Sequence, residues 1–113
     1  MESYDVAIIG AGFVGSSLAR HLSNYSRVVT FDVKADVPLL KDVDVEHRVC
    51  DVRHYEELKK KIGKPKVVVH TAVIQIPAIN EMKEQAYEVN VVGTQNVCEV
   101  VRRTQKILGL ILC

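Results

Sequence analysis

Three glycines and one aspartate carry the first chemical signal in this chain. Gly10, Gly12 and Gly15 stand in Gly10-Ala11-Gly12-Phe13-Val14-Gly15, the spacing G-x-G-x-x-G, directly after the apolar run that starts at Val6. A side chain is dispensed with where the backbone must come close to something. Gly10 suits a tight turn, Gly12 lets the main chain approach a pyrophosphate, and Gly15 lets a helix pack closely on a strand. The first N–H groups of a helix have no intrahelical acceptor, and with the helix dipole they attract an anionic phosphate. Asp32 closes the next apolar run, 22 residues beyond Gly10. A carboxylate there accepts hydrogen bonds from ribose hydroxyls and repels a 2′-phosphate. Val33 and Lys34 follow it, with no adjacent arginine to offset the repulsion. NAD is favoured over NADP as cofactor, although Lys34 could still contact a phosphate. The plainer alternatives are a strand–helix turn that binds nothing and a polar strand end.

Such a turn needs a sheet in front of it and a helix behind it. Apolar runs recur at 6–10, 28–32, 47–50, 67–72 and 107–112. The first, second and fourth are nearly continuous in valine and isoleucine, as in strands of a parallel sheet buried on both faces. Helical stretches are expected at 13–23, 54–62 and 80–103. In the last, Ala86, Val89, Val92 or Gly93, Asn96 or Val97, and Val100 or Val101 recur at three- and four-residue spacing. Strands alternating with helices predict an α/β class: a doubly wound, Rossmann-like parallel sheet of five strands, with the fifth at the C-terminal end. The surroundings of Pro65 and Pro77 read as loops on either side of the fourth strand.

Composition narrows the classes. The 113 residues make one domain, with 48% hydrophobic and 26% charged residues and a net charge of +1. No global basic bias points to nucleic acid or an anionic membrane, and Lys59-Lys60-Lys61 reads as a solvated helix face. The acidic N-terminal stretch is unlike a secretory signal, and no apolar run approaches a membrane span. Cys50, Cys98 and Cys113 have neither ligand-like nor disulfide-framework spacing, so no metal is expected and a cytoplasmic setting is.

Taken alone, IIGAGFVGSSLA is similar to the turn of lactate and malate dehydrogenases. Three later segments point elsewhere: CDVR at Cys50–Arg53, VVVHTAV at Val67–Val73 and YEVNVVGTQNVCEVVRR at Tyr87–Arg103. In this order and at these distances they resemble the extended short-chain dehydrogenase/reductase superfamily, which includes sugar-nucleotide epimerases and dehydratases and 3β-hydroxysteroid dehydrogenase-like enzymes. NVVGTQNV is the most specific piece. The resemblance implies that Phe13 and Val14 lie beside the pyrophosphate and that Asp32 holds the adenosine ribose. It implies that Asp51 and Val52 line the adenine, and that Thr71, Ala72 and Val73 run under the ribose and nicotinamide. Asn90 would approach the cofactor and help order the active site. Asp51 as a turn residue, Ala72 as a packing residue and Asn90 as a core amide are the alternatives, and His70 reads as packing on its strand. One departure keeps the lactate dehydrogenase-like reading open: Ile9 stands where the superfamily usually has a further glycine.

The superfamily's chemistry also needs a Tyr-x-x-x-Lys pair in which the tyrosine acts as acid/base. The tyrosines are Tyr4, Tyr25, Tyr55 and Tyr87. Only Tyr55, with Lys59, has the spacing, and it precedes the fourth strand, so no catalytic residue is assigned. Residues 1–113 are expected to be the NAD(P)-binding part of a longer oxidoreductase or epimerase, ending before the catalytic and substrate-binding part. The substrate expected of the whole protein is a secondary alcohol or ketone, nucleotide sugar or steroid-like. A non-catalytic NAD-binding module is the alternative. A homodimer stays open, since the superfamily's dimer helices would include 80–103.

Overall fold

The computed structural model describes residues 3–74 and 78–113. Five parallel strands form one sheet: β1 (Val6–Ile9), β2 (Val28–Asp32), β3 (Glu46–Val49), β4 (Val67–His70) and β5 (Gly109–Leu112), in the order β3-β2-β1-β4-β5. The helices are α1 (Phe13–Leu22), α2 (Tyr55–Ile62), α3 (Ala78–Glu81), α4 (Lys83–Tyr87) and α5 (Thr94–Arg103), with a π-helical turn at Glu88–Gly93 and a 3-10 turn at Pro38–Leu40. The chain runs outward from β1 to β3 and then returns across the sheet to β4. The β1/β4 boundary is therefore the switch point, where crevices open at the carboxyl ends of the strands.

The valine and isoleucine runs form strands because both faces are covered. On one face Ala7, Ile9, Val29, Phe31 and Val68 pack with Leu58 and Ile62 of α2 and Val97 and Val100 of α5. On the other, Ile8, Val28 and Val69 pack with Ala19 of α1 and Leu40 of the 3-10 turn. Alternate residues of each strand feed opposite cores, as the period-two geometry requires. α1 follows β1 after three residues, so its first turn stands at the switch point. α2 ends at Gly63, whose φ of +68° reverses the chain at little steric cost.

Several boundaries differ from expectation. β4 stops at His70, which leaves Thr71 and Ala72 in the crevice loop beyond the strand. β3 lies one residue earlier than read, and β5 begins only at Gly109. The helix expected over 80–103 is interrupted at Met82 (φ −130°, ψ 56°) and widened into the π turn. A π turn carries more residues per turn than an α-helix, so the heptad-like spacing survives while the register shifts. Ala86, Gly93, Val97 and Val100 are buried, and Val89 and Val92 only partly so. The loop expected around Pro77 lies outside the described residues. Lys59 and Lys60 face solvent, whereas Lys61 donates to the Val49 carbonyl at 2.7 Å. Among the described residues no helix is long and apolar enough to cross a membrane.

The π turn meets the loop after β3 at Gly93. A Cβ there would lie 2.6 Å from Cγ2 of Val52. Gly93→Ala is expected to destabilise the protein by about 1–3 kcal/mol through overpacking. The double variant with Val52→Ala should be more stable than the two single losses summed. Urea unfolding of the four proteins measures both quantities.

Candidate functional site

The centre of the site is the β1–α1 turn. Gly10 has φ +100°, a backbone conformation that L side chains rarely adopt. A Cβ there would lie 2.7 Å from both the Ala72 nitrogen and Thr71 Oγ1. At Gly15 a Cβ would collide with the Gly10 carbonyl oxygen. The Thr71 hydroxyl shares its proton between the carbonyls of Ile9 (3.0 Å) and Gly10 (2.9 Å), and its N–H donates to Ile9 at 2.7 Å. Ser16, fully buried, donates from Oγ to the Ala11 carbonyl at 2.7 Å. The turn is thus held by its own backbone, by β4's exit and by α1.

Gly12 is different. A Cβ at this position would meet nothing within 4 Å. Contacts within the chain explain Gly10 and Gly15 but leave Gly12 as a glycine whose outer side faces open space. Gly12 caps α1 with no side-chain hydrogen bond, and no acid stands in the first helical turn. Phe13 and Val14 are exposed at 79% and 56%. The leading N–H groups of α1 therefore point outward without a charged side chain to satisfy them. An anionic group fits there, and a backbone-hugging ligand would account for the missing side chain at Gly12. A dinucleotide's pyrophosphate is a group of that kind, and the residues present fit it.

Asp32 stands beside the turn. Its Oδ2 accepts from the Ala11 N–H at 2.7 Å, and Oδ1 accepts from the Lys34 N–H at 3.0 Å. Each carboxylate oxygen retains acceptor capacity. Gly12, Phe13, Asp32, Lys34, Val37 and Leu39 contribute to the wall of a groove of about 260 Å³. A larger hollow of about 360 Å³ lies at the opposite, N-terminal ends of the strands, by Tyr4, Asp44 and Glu46. It is away from the helix start and the switch point, so the smaller groove is the one with chemistry around it.

The other expected site residues are brought to the same end of the sheet, with partners of their own. Asp51 pairs with Arg53: Oδ2 lies 2.7 Å from one guanidinium nitrogen, and Oδ1 also accepts the Arg53 N–H at 3.0 Å. The Arg53 hydrogen bond holds the Asp51 carboxyl below its ordinary value. Arg53 reaches on to Glu88 at 3.7 Å. Val52 is 6% exposed and packed on Gly93, and its carbonyl accepts from Asn96 Nδ2 at 2.8 Å. Ala72 is partly buried and Val73 exposed. Asn90, in the π turn, clamps the loop after β4: Oδ1 accepts the Ile74 N–H at 2.7 Å and Nδ2 donates to the Ile74 carbonyl at 3.0 Å.

His70 and Cys50 are set back from this chemistry. His70 is 2% exposed, with Nε2 at 2.9 Å from Thr94 Oγ1, and burial lowers its pKa. Burial pushes the Cys50 thiol up to about 11, which leaves it unreactive. Among the described residues no group of histidines, cysteines and acids is arranged to hold a metal. Sequence reading did not single out Ser16, Arg53 or His47, and it named Asn96 only as a position on the periodic helix face. Arg53 alone carried a usable signal, two residues after an acid that itself needed a partner.

A parallel sheet with a switch point, a three-glycine turn pressed against β4 and an acid ending β2 define a Rossmann-like nucleotide-binding domain. A sequence model of the 3-beta hydroxysteroid dehydrogenase/isomerase family matches residues 6–111, and the chain belongs to that family and so to the extended short-chain dehydrogenase/reductase superfamily. Among solved structures it is similar to a GalE-like L-threonine dehydrogenase from Cupriavidus necator in its holo form. Identity is 26% over 88% of this chain and 33% of that one, with a TM-score of 0.77. A UDP-glucose 4-epimerase matches at 22% identity over 98% of this chain and 35% of the other, with TM-score 0.81. The Bordetella bronchiseptica enzyme WbmG, in complex with NAD and UDP, matches at 22% identity over 98% and 37%, with TM-score 0.80. The last two likenesses speak to the fold. No curated protein sequence gives a significant match. The chain spans about a third of the length of the solved structures it matches.

Two outcomes follow from the geometry. Gly15→Ala should destabilise the fold severely, whereas Gly12→Ala should cost no more than about 1 kcal/mol at a helix N-cap; thermal unfolding of the two variants separates these roles. His70, whose folded pKa is lowered by burial, stabilises the protein fully above the unfolded value near 6.5 and loses that contribution as pH falls below it. Between about pH 7 and pH 5, His70→Phe should show a smaller decline in unfolding midpoint than the unaltered protein.

Proposed function

We propose that this chain is the NAD-binding part of an oxidoreductase or epimerase acting on a secondary alcohol or ketone. Gly12 carries the reading: it is the one glycine of the turn that the chain's own packing does not require, and it stands at an uncapped helix start. In this reading the α1 N-terminus, with Phe13 and Val14, binds the pyrophosphate. Asp32 holds the adenosine ribose and disfavours a 2′-phosphate. Asp51 and Val52 border the adenine. Thr71, Ala72 and Val73 lie along the ribose and nicotinamide, and Asn90 fixes the loop that continues from them. Bound there, the nicotinamide would supply hydride transfer.

A longer protein is part of the proposal, because the chain spans about a third of its solved relatives. The Tyr-x-x-x-Lys pair would come from the remainder, together with recognition of a nucleotide sugar or steroid-like alcohol. Tyr55 does not serve, since its hydroxyl is buried behind the sheet rather than open to the crevice. That same observation favours a non-catalytic dinucleotide-binding module if the native protein has no further part. A cytoplasmic location belongs to the reading as well; all three cysteines are free thiols, as a reducing compartment keeps them.

Calorimetric titration tests the binding. The protein should bind NAD more tightly than NADP, and Asp32→Asn should weaken NAD about ten- to hundredfold, the worth of hydrogen bonds to a charged group. Absence of binding to either dinucleotide would sink the reading. The intact mass of the protein from its source decides between enzyme and module: on the order of 30–40 kDa for a cofactor domain with a substrate domain attached, against 12.6 kDa for this chain alone.

A further inference from the structure

The loop that walls the groove beyond β2 is gripped at Lys34 from two sides. The Lys34 N–H donates to Asp32, and the Lys34 carbonyl lies 2.7 Å from Nε2 of His47. A carbonyl oxygen only accepts, so Nε2 carries the proton of this bond. The other ring nitrogen, Nδ1, lies 2.8 Å from Thr30 Oγ1. Thr30 is fully buried in β2 and directly paired with His47 across the β2–β3 ladder. The imidazole is a strut between the buried sheet and an exposed loop, with each nitrogen committed to a different element.

We propose that His47 is a positioning residue for the adenosine end of the site, and that through Lys34 it sets the preference for a ribose 2′-hydroxyl over a 2′-phosphate. The inference rests on the dinucleotide reading given above. His47 is not among the residues lining the groove. It acts in two steps: Nε2–H fixes the Lys34 carbonyl, and the fixed Lys34 N–H, together with the Ala11 N–H, keeps both Asp32 oxygens in one orientation. Without the strut, Lys34 leaves Oδ1 of Asp32, the carboxylate is held only at Oδ2 by the Ala11 N–H and turns about that bond, and its repulsion of a 2′-phosphate is less well aimed. Pairing of β2 with β3 does not call for a polar ring here, because β-branched and aromatic pairs serve a ladder as well. The buried Thr30 hydroxyl accounts for a polar Nδ1, and the loop accounts for the donor at Nε2.

Equilibrium binding of NAD and NADP to the full chain provides the test. His47→Phe keeps a ring but cannot donate to Lys34. It should weaken NAD about tenfold, the equivalent of roughly one hydrogen bond, and leave NADP nearly unchanged, so that the preference falls. His47→Gln, whose amide nitrogen reaches the Nε2 position, should restore most of the preference. If His47→Phe does not fold, His47→Asn replaces it: its shorter amide can meet Thr30 but not Lys34, and the preference must again fall. Unchanged preference in His47→Phe or His47→Asn overturns the role of His47 and leaves the dinucleotide reading standing. Equal weakening of both dinucleotides in every variant, Gln included, also overturns it, because packing alone would do that. If the unaltered protein binds neither dinucleotide, the dinucleotide reading fails and this inference falls with it.

Discussion

The structure turns on how closely the start of α1 approaches the end of β4. The Gly10 carbonyl sits where a Gly15 side chain would begin, and Thr71 fills the remaining space with a hydroxyl donating to the carbonyls of Ile9 and Gly10. Nothing larger than hydrogen is tolerated at either glycine, and the hydroxyl at residue 71 reaches the Gly10 carbonyl and adds a second donor to the Ile9 carbonyl that the Thr71 N–H already meets. The same contact sets the direction of α1, brings its uncapped N–H groups to the switch point and leaves Gly12 as the outermost part of the turn. The site exists because this packing is solved in one way.

A second constraint lies across the crevice. The π turn at Glu88–Gly93 touches both loops that border the proposed dinucleotide. Gly93 receives Val52, Glu88 meets Arg53 and Asn90 clamps Ile74, while Asn96 in the following α5 holds the Val52 carbonyl. A regular helix would present these residues on a narrower arc. The extra width of the π turn lets Asn90 face the β4 loop while Gly93 still faces the β3 loop, which is a reason for such turns to occur at functional sites. The buried hydrophobic seam resumes at Val97 and Val100, so the irregularity costs little core.

Much of this was legible in the chain itself. The valine-rich runs at Val6, Val28 and Val67 read as doubly buried strands and are; the glycine spacing located the turn, and NVVGTQNV located the helix that carries Asn90. What was not legible depends on contacts between residues distant in sequence. Ser16 is an ordinary serine until its hydroxyl is found buried on Ala11. His47 and Asn96 acquire meaning only from Lys34 and Val52, 13 and 44 residues away. The β4 boundary was misplaced because Thr71 and Ala72 continue the run VVVHTA without a break signal, whereas β4 ends at His70 and the Thr71 hydroxyl turns back toward the carbonyls of β1 and the glycine turn. The break at Met82 has no composition signal, since neither glycine nor proline marks it.

The two acids that end the β2 and β3 segments look equivalent in sequence and are not equivalent in space. Asp51 is in ion-pair contact with Arg53, which also reaches Glu88, so one guanidinium is shared between two carboxylates. Asp32 has only backbone N–H groups as partners among the described contacts, so its charge is oriented but not cancelled. Asp51 therefore has a cation beside it, whereas the Asp32 carboxylate faces the groove between two backbone N–H donors. Asp32 is therefore the acid whose orientation is held by both the glycine turn and the loop after β2.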